Sequence, residues 1–65
     1  MFKVGDLVTF IDKLLQLHPR SQRIGVVVGP VCTDSWGDDF VAVNHPDGSW
    51  GYRDLEQLRL VARGE

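Results

Sequence analysis

The run Ile24–Val28 is apolar on both faces and is followed at once by Gly29 and Pro30. β-branched residues favour strands, and a strand that is apolar on both sides is typical of the middle of a sheet or of a strand that a loop covers. Proline has no backbone N–H to donate to a neighbouring strand, so Gly29 and Pro30 predict a bulge, a bend or a sheet edge. A small barrel needs such a bend in order to close, and Val31 and Cys32 are expected to resume the strand beyond it.

Four further strands are predicted from β-branched and aromatic runs bounded by turn residues. They are expected at residues 6–11, 39–44, 49–53 and 60–61. Pro46-Asp47-Gly48 separates two of them and predicts a tight turn, because proline presets φ and glycine accepts positive φ. Residues 12–23 are predicted to form a long, partly ordered loop, and residues 54–58 to form one 3₁₀ turn before the last strand.

Seven apolar side chains are expected to form most of the core, because their spacing places them on the inward faces of these elements. They are Val8, Val26, Val28, Val41, Val43, Leu55 and Leu58. The parity of the second strand leaves an alternative in which Gly25 and Val27 point inward, because a shift of one residue exchanges the two faces of a strand.

A chain of 65 residues is long enough for one domain with one small core. We expect that domain to span residues 1–65, with its core elements within about 3–61. The single cysteine, Cys32, cannot form a disulfide within the chain, and its place after an apolar run predicts a small buried hydrophobic residue. Neither a signal peptide at Met1 nor an apolar run of membrane-spanning length is recognisable, so a cytoplasmic location without membrane attachment is expected.

Candidate catalytic and metal-binding groups are few and scattered. His18, Cys32 and His45 show none of the CxxC or HxxxH spacings of metal sites, and nothing near the cysteine predicts an activated thiol. Both histidines precede a proline and are expected to be solvated loop residues. The chain also lacks the glycine-rich motifs that hold phosphates. We therefore predict no catalytic residue, metal or cofactor, and a protein that is not an enzyme.

The charge balance argues against a surface that binds a nucleic-acid duplex. Seven Lys and Arg residues stand against nine Asp and Glu residues, for a net charge of −2, whereas domains that bind nucleic acid usually present a basic face. The charges are uneven, because residues 12–23 are mainly basic and residues 33–39 are acidic. Two oppositely charged loops on one molecule leave open a head-to-tail contact between copies or a symmetric homodimer.

Trp36 is the aromatic residue that a core explains least, because it lies in a polar loop of Ser, Gly and Asp. Trp50 and Tyr52 share strand parity, so they are expected either on one exposed aromatic platform or packed on the sheet beneath the long loop. Together with Arg20 and Arg23 in the first loop, these aromatic residues predict a binding face centred on Trp36.

The order of elements is strand, long loop, strand, short loop, strand, tight turn, strand, 3₁₀ turn and final strand. Short motifs accompany this order, at residues 4–8 (VGDLV), 25–28 (GVVV), 41–43 (VAV), 47–48 (DG) and 54–56 (DLE), with Trp50 and Tyr52 on the aromatic strand. Over about residues 3–61 the pattern resembles the small SH3-like, KOW-like and Tudor-like barrel domains found in phage and bacterial proteins of unknown function. The resemblance implies an all-β fold, a five-stranded SH3-like barrel with a long first loop and one 3₁₀ turn before the last strand.

The resemblance further implies a non-enzymatic binding module, a phage or prokaryotic accessory protein that contacts another protein in the host cytoplasm or in a virion. A groove for proline-rich peptides is not expected, because residues 10–13 (FIDK) replace the acidic, tyrosine-containing segment of the SH3 domains that bind such peptides. Two alternatives stay open. One is a KOW-like domain associated with nucleic acid, which Arg20 and Arg23 favour, and the other is a self-associating component of a larger assembly.

Overall fold

Six antiparallel strands and three short helical turns make up the fold of this chain, whose computed structural model describes residues 2–64. The strands are β1 (Leu7–Phe10), β2 (Ile24–Val27), β3 (Cys32–Thr33), β4 (Asp39–Asn44), β5 (Trp50–Asp54) and β6 (Leu58–Ala62). The helical turns are α1 (Asp12–Leu15) and two 3₁₀ turns, at Arg20–Gln22 and Leu55–Gln57. The predicted all-β class is confirmed, and Met1 and Glu65, the ends of the expected 1–65 domain, lie outside the described residues.

All six strands belong to one antiparallel sheet, in which β4 pairs with three other strands. β5 pairs with β4 along residues 40–44, so β2 and β3 share the opposite edge of β4, one at each end. β1 lies next to β2, and β6 lies outside β1. Within residues 2–64, β5 and β6 do not pair with each other, so the sheet is open. There are six strands where five were predicted, because Gly29 and Pro30 separate β3 from β2.

The core is built from side chains of β1, β2, β4 and β6. Its buried members are Val8, Phe10, Val27, Val41, Val43 and Leu58. The inward positions predicted on β1, β4 and β6 are thereby confirmed, and Leu55 packs against this core while it stays partly exposed. The prediction that Val26 and Val28 point inward is wrong, since these side chains are 38% and 44% exposed.

The inward side of β2 is set by the close approach of Gly25 to β4. A Cβ atom at residue 25 would overlap Val43 Cγ1 and would lie 2.8 Å from the backbone oxygen of Asn44. Only glycine fits between the two strands at this point. Because side chains alternate along a strand, Val27 then points into the core and Val26 points away from it.

The long loop between β1 and β2 packs against one end of the core. Leu14 and Leu15 lie against the core side chains. The Thr9 hydroxyl donates a 2.5 Å hydrogen bond to the carbonyl of Arg23 at the end of the loop. Because both faces of β2 are apolar, the sequence left open that the loop covers its outward side. In the structure this side is exposed instead, at Ile24, Val26 and Val28.

Three side chains lie in environments that differ from the sequence predictions. Cys32 is exposed rather than buried, because it belongs to a two-residue strand whose side chains are both open to solvent. His45 is buried, and His18 stacks on Phe10 with ring centroids 3.8 Å apart, so neither histidine is a solvated loop residue. The imidazole of His45 is accommodated because its Nδ1 lies 2.9 Å from the carbonyl oxygen of Ile24.

Candidate functional site

One face of the sheet lies against the core, and the other, here called the outer face, points to solvent. The alternation of side chains and the strand register assign its residues. On β1, β2, β4 and β5, with Val28 directly after β2, they are Leu7, Thr9, Ile24, Val26, Val28, Phe40, Ala42, Asn44, Trp50, Tyr52 and Asp54. Asp54 is the one charged residue among them, whereas the solvent side of an antiparallel sheet normally carries polar side chains.

The outer face exposes a large apolar area. Trp50 and Tyr52 on β5 are 60% and 62% exposed, and Ile24, Val26 and Val28 are also open to solvent. With ordinary side-chain areas, these five residues expose roughly 500 Å². This area is similar to the largest apolar patch of a typical monomer, which covers about 300–600 Å². The largest apolar patch of a monomer is often functional, so this surface is a candidate binding surface.

Three aromatic rings lie in a row on β4 and β5. Phe40 and Tyr52 meet edge to face with ring centroids 5.4 Å apart, and Trp50 and Tyr52 meet in the same way at 5.5 Å. The register explains the row, because Tyr52 lies opposite the small side chain of Ala42. Edge-to-face contacts stabilise such rings beyond the area that they bury. Trp50 and Tyr52 therefore share one exposed platform and are not covered by the long loop.

A shallow apolar depression of about 330 Å³ lies on the outer face beside this row. Its walls come from β1, β2 and the turn that follows β4, and they include Leu7, Ile24, Val26 and Pro46. Because its walls are mainly aliphatic, the depression favours an apolar side chain of a partner over a charged one. We refer to it as the apolar depression.

A second groove, of about 290 Å³, lies at the other end of β4. It is lined by Gly37, Asp38, Asp39, Asp54, Leu55 and Glu56. Asp39 accepts a 2.6 Å hydrogen bond from the hydroxyl of Thr33. Both ion pairs found among residues 2–64 lie elsewhere, so the four carboxylates of this groove are not neutralised by a described Lys or Arg. We refer to it as the acidic groove, and Asp54 connects it to the outer face.

Trp36 projects from the turn that precedes β4 and is 86% exposed. The Asp34 carboxylate accepts hydrogen bonds of 2.9 Å from the backbone N–H groups of Trp36 and Asp38. Gly37, which lines the acidic groove, completes the turn with a φ of +84° that other residues rarely adopt. The turn is therefore held by its backbone and by Asp34, and the indole of Trp36 is left open to solvent at the acidic end of the sheet.

Arg20 and Arg23 lie near the opposite end of β4 from Trp36. Between the two arginines, the Ser21 hydroxyl donates a 3.0 Å hydrogen bond to Asp47, in the turn that follows β4. Trp36 precedes β4, whose six residues span roughly 17–20 Å at the usual rise of a strand. The structure thus brings the two β5 aromatic residues together but does not bring the two arginines beside Trp36.

Asp47 organises the end of the molecule where the arginines lie. Its carboxylate accepts hydrogen bonds from the backbone N–H and hydroxyl of Ser49 and from the side chains of Ser21 and Gln22. The bonds from Ser49 have the largest effect and, with the others, lower the pKa of Asp47 from 3.8 to about 2. The carboxylate stays ionised at neutral pH and ties the Arg20–Gln22 turn to the hairpin of β4 and β5.

A cluster of cationic and aromatic side chains closes the core beneath the long loop. Arg53 Nη2 lies 3.4 Å from His45 Nε2, and its Cζ lies 5.5 Å from the centroid of the Phe10 ring. A His45 tautomer protonated at Nδ1 satisfies both of its contacts, because it donates to the Ile24 carbonyl and accepts from Arg53. His18 stacks on the same Phe10 ring. The cluster holds no thiol or hydroxyl nucleophile, and its contacts join the loop to the sheet.

The sequence analysis missed the β2 part of the outer face, which comprises Ile24, Val26 and Val28. The signal was the apolar character of both sides of this strand. In a single sheet with one core, only one side of a strand can face that core, so the other apolar side is left over. The structure shows that neither the core nor the long loop covers the second side.

Within residues 2–64, no group of three or more His, Cys, Asp or Glu side chains is arranged to hold a metal ion. The helical turns of the same segment lack the length and apolar character that a helix needs to cross a membrane.

Comparison of the chain with protein-family models, with curated proteins and with solved structures gives no match.

Proposed function

We propose that this chain is a small non-enzymatic binding module that contacts another protein through its outer face. The observation that carries the proposal is the exposed apolar surface across β2, β4 and β5. Covering such a surface is favourable by roughly 25 cal/mol per Å², before the loss of motion on association is subtracted. Tryptophan and tyrosine, which form the β5 part of the face, are enriched among the residues that dominate protein interfaces.

The fold that we propose for this module is an SH3-like barrel. When β2 and β3 are counted as one strand bent at Gly29 and Pro30, the strand order becomes β6, β1, β2 with β3, β4 and β5. A long loop follows the first strand, and the Leu55–Gln57 3₁₀ turn precedes the last one. This order supports the resemblance that the sequence shows. The proposal adds that the barrel closes between β5 and β6, two strands that do not pair with each other within residues 2–64.

A role in nucleic-acid binding has less support from the charges. Arg20 and Arg23 favoured it, but Arg23 Nε donates a 3.1 Å hydrogen bond to the carbonyl of His18 and is partly engaged in the loop. The acidic groove at the other end of the sheet would repel phosphates, whose neutralisation by Lys and Arg dominates affinity for nucleic acid. A protein partner therefore fits the surface better.

Selection of ligands from a displayed library of random peptides tests this function. Peptides retained by the wild-type protein should bind Val26→Lys at least roughly tenfold more weakly, a loss of about 1.4 kcal/mol, because the lysine places a charge in the middle of the outer face. Val4→Lys is the matched control, since Val4 is 60% exposed in the turn before β1. Its affinity should stay within about twofold of wild type.

The near-UV circular dichroism of the tryptophans should be unchanged in both variants, because both valines are exposed. If the two variants bind the selected peptides equally well, the interaction face lies elsewhere. If the wild-type protein retains no peptide above background, the proposed function is contradicted.

Trp36→Ala tests the centre of the site that the sequence predicts. Trp36 is 86% exposed, so its removal should change the free energy of unfolding by no more than about 0.5 kcal/mol in urea denaturation. Affinity for the selected peptides should fall at least roughly tenfold if Trp36 anchors the partner. A large loss of stability with unchanged affinity would place Trp36 in the core and the site elsewhere.

A further inference from the structure

We propose that the partner of the outer face is an extended segment of another protein that carries an apolar residue and a Lys or Arg four to six residues apart. This inference rests on the proposed function and names the chemistry of the partner. The apolar side chain enters the apolar depression, and the cationic side chain enters the acidic groove. The segment crosses the aromatic row of β4 and β5 between them.

The two recesses lie at opposite ends of the outer face of β4. The apolar depression reaches Asn44 and Pro46 at the end of β4, and the acidic groove reaches Asp54, which pairs with Phe40 near the start of β4. A partner that covers the face therefore meets both recesses. Burial of an apolar side chain is favourable in the first, and a positive charge is favourable in the second.

The charge of the acidic groove selects the sign of the partner. Asp38, Asp54 and Glu56 have no ion-pair partner among residues 2–64, so a cation of the bound segment would be the first to compensate them. A segment with Asp or Glu at the same position would be repelled. Because the groove is open to solvent, we expect this preference to weaken as salt is added.

A second copy of this chain is a poorer occupant than a basic segment of another protein. Arg23 and Arg53 are already engaged, with the carbonyl of His18 and with Nε2 of His45. Each copy would also bring its own acidic groove to the interface. Lys13 and Arg20 have no ion-pair partner among residues 2–64, but a copy carries nine Asp and Glu against seven Lys and Arg, so it would add more carboxylates than free cations.

The spacing between the apolar residue and the cationic residue of the partner segment follows from strand geometry. Asn44 and Phe40 are four residues apart on β4, a separation of roughly 13 Å, and the recesses are also offset sideways by one or two strands. An extended segment that rises about 3.3 Å per residue needs four to six residues to join them. Outer-face side chains recur every second residue, as do those of an extended segment, so the two sets can interdigitate.

Two synthetic nine-residue peptides test the proposal by NMR titration of the labelled protein. Both carry leucines at positions 1 and 3 in a serine and threonine background. One carries arginines at positions 5 and 7, and the other carries glutamates there. The arginine peptide should shift the backbone amide signals of Val26, Tyr52 and Glu56, and the glutamate peptide should bind at least roughly tenfold more weakly.

The variant Asp38→Asn combined with Glu56→Gln should weaken the arginine peptide at least roughly fivefold and reduce its salt dependence, because two carboxylates of the groove are neutralised. Asp12→Asn is the matched control, since Asp12 is an exposed carboxylate in α1 that pairs with Arg59. Its affinity for the arginine peptide should equal that of the wild type.

Three results would overturn the inference. If both peptides bind the outer face equally well, the partner need not be basic, and the proposed function still stands. If neither peptide binds and sedimentation shows a dimer that Val26→Lys dissociates, the occupant is a second copy. If neither peptide binds a monomeric protein that still retains peptides from the random library, the face takes a partner of another chemistry.

Discussion

At the scale of single residues, Gly25 decides which side of β2 becomes core and which stays exposed to solvent. Both sides of the strand are apolar, so hydrophobicity alone does not choose between them. The choice comes from space, because a side chain at residue 25 would enter the volume held by Val43 and the backbone of Asn44. The exposure of Val26 is thus a consequence of the missing side chain one residue earlier.

The variant Gly25→Ala should lower the free energy of unfolding by about 1–3 kcal/mol, because the added methyl group forces β2 and β4 apart. Urea denaturation measures this change. Gly29→Ala is the control, since a Cβ there comes no closer than 3.9 Å, to Ala42 Cβ, and should alter stability by no more than about 1 kcal/mol, in the stabilising direction. Equal losses in both variants would contradict the proposed packing.

At the scale of elements, the long loop is held by an aromatic contact as well as by its leucines. The ring of His18 is nearly parallel to that of Phe10, at a centroid distance of 3.8 Å. Burial lowers the pKa of His18 below its ordinary 6.5, and the positive charge of Arg53 lowers it further. The folded protein therefore favours neutral His18.

Because the pKa of His18 is lower in the folded protein than in the unfolded chain, the free energy of unfolding depends on pH. Below about pH 6.5 the unfolded chain takes up a proton that folded His18 resists, so the free energy of unfolding decreases as the pH falls towards the lower folded pKa. His18→Phe keeps an aromatic ring against Phe10 but cannot be protonated. Between about pH 7.5 and 5.5 its melting temperature should therefore decrease less than that of the wild type.

Thermal denaturation at several pH values measures this difference, and NMR titration of the His18 ring provides the direct check. A His18 pKa at or above 6.5 in the folded protein would contradict the stacked environment. An identical pH dependence in the wild type and in His18→Phe would show that the loop does not depend on this contact.

At the scale of the whole molecule, Asp6 joins the two ends of the described chain. Its buried carboxylate accepts hydrogen bonds from the backbone N–H of Lys3 at 2.8 Å and of Gly64 at 2.9 Å. These two bonds are the main reason that the pKa of Asp6 lies below 3.8, and the positive charge of Arg63 adds to them. The carboxylate therefore stabilises the fold above its unfolded pKa, and this contribution is lost as the pH falls through the lower folded value.

Replacing Asp6 by Asn should release the residues after β6 from the start of the chain. The amide of asparagine can accept from one of the two N–H groups but places its own NH₂ against the other. Hydrogen exchange at the amides of Lys3 and Gly64 should accelerate roughly tenfold or more, because the local opening becomes easier. Asp12→Asn, a change at an exposed ion pair, should leave these rates unchanged. Unchanged rates in Asp6→Asn would show that the chain ends are held by other contacts.

Much of the fold and part of the candidate site were predictable from local sequence. β4 was predicted with its observed bounds, because a β-branched and aromatic run ends at a Pro-Asp-Gly turn. The shared face of Trp50 and Tyr52 followed from strand alternation. The positions of Arg20 and Arg23 were not predictable, because their loop is placed by the bonds of Ser21 and Gln22 to Asp47, more than twenty residues away.

The sequence by itself determined the class of the fold and the places where the chain turns, because these depend on the properties of neighbouring residues. Tertiary structure alone decided which apolar side of β2 is exposed and that His45 is buried, because each depends on the space and partners that distant residues provide. It also decided that an apolar depression and an acidic groove flank one aromatic row. Local pattern carries no information about these juxtapositions, because they arise only when β1, β2, β4 and β5 are aligned in one sheet.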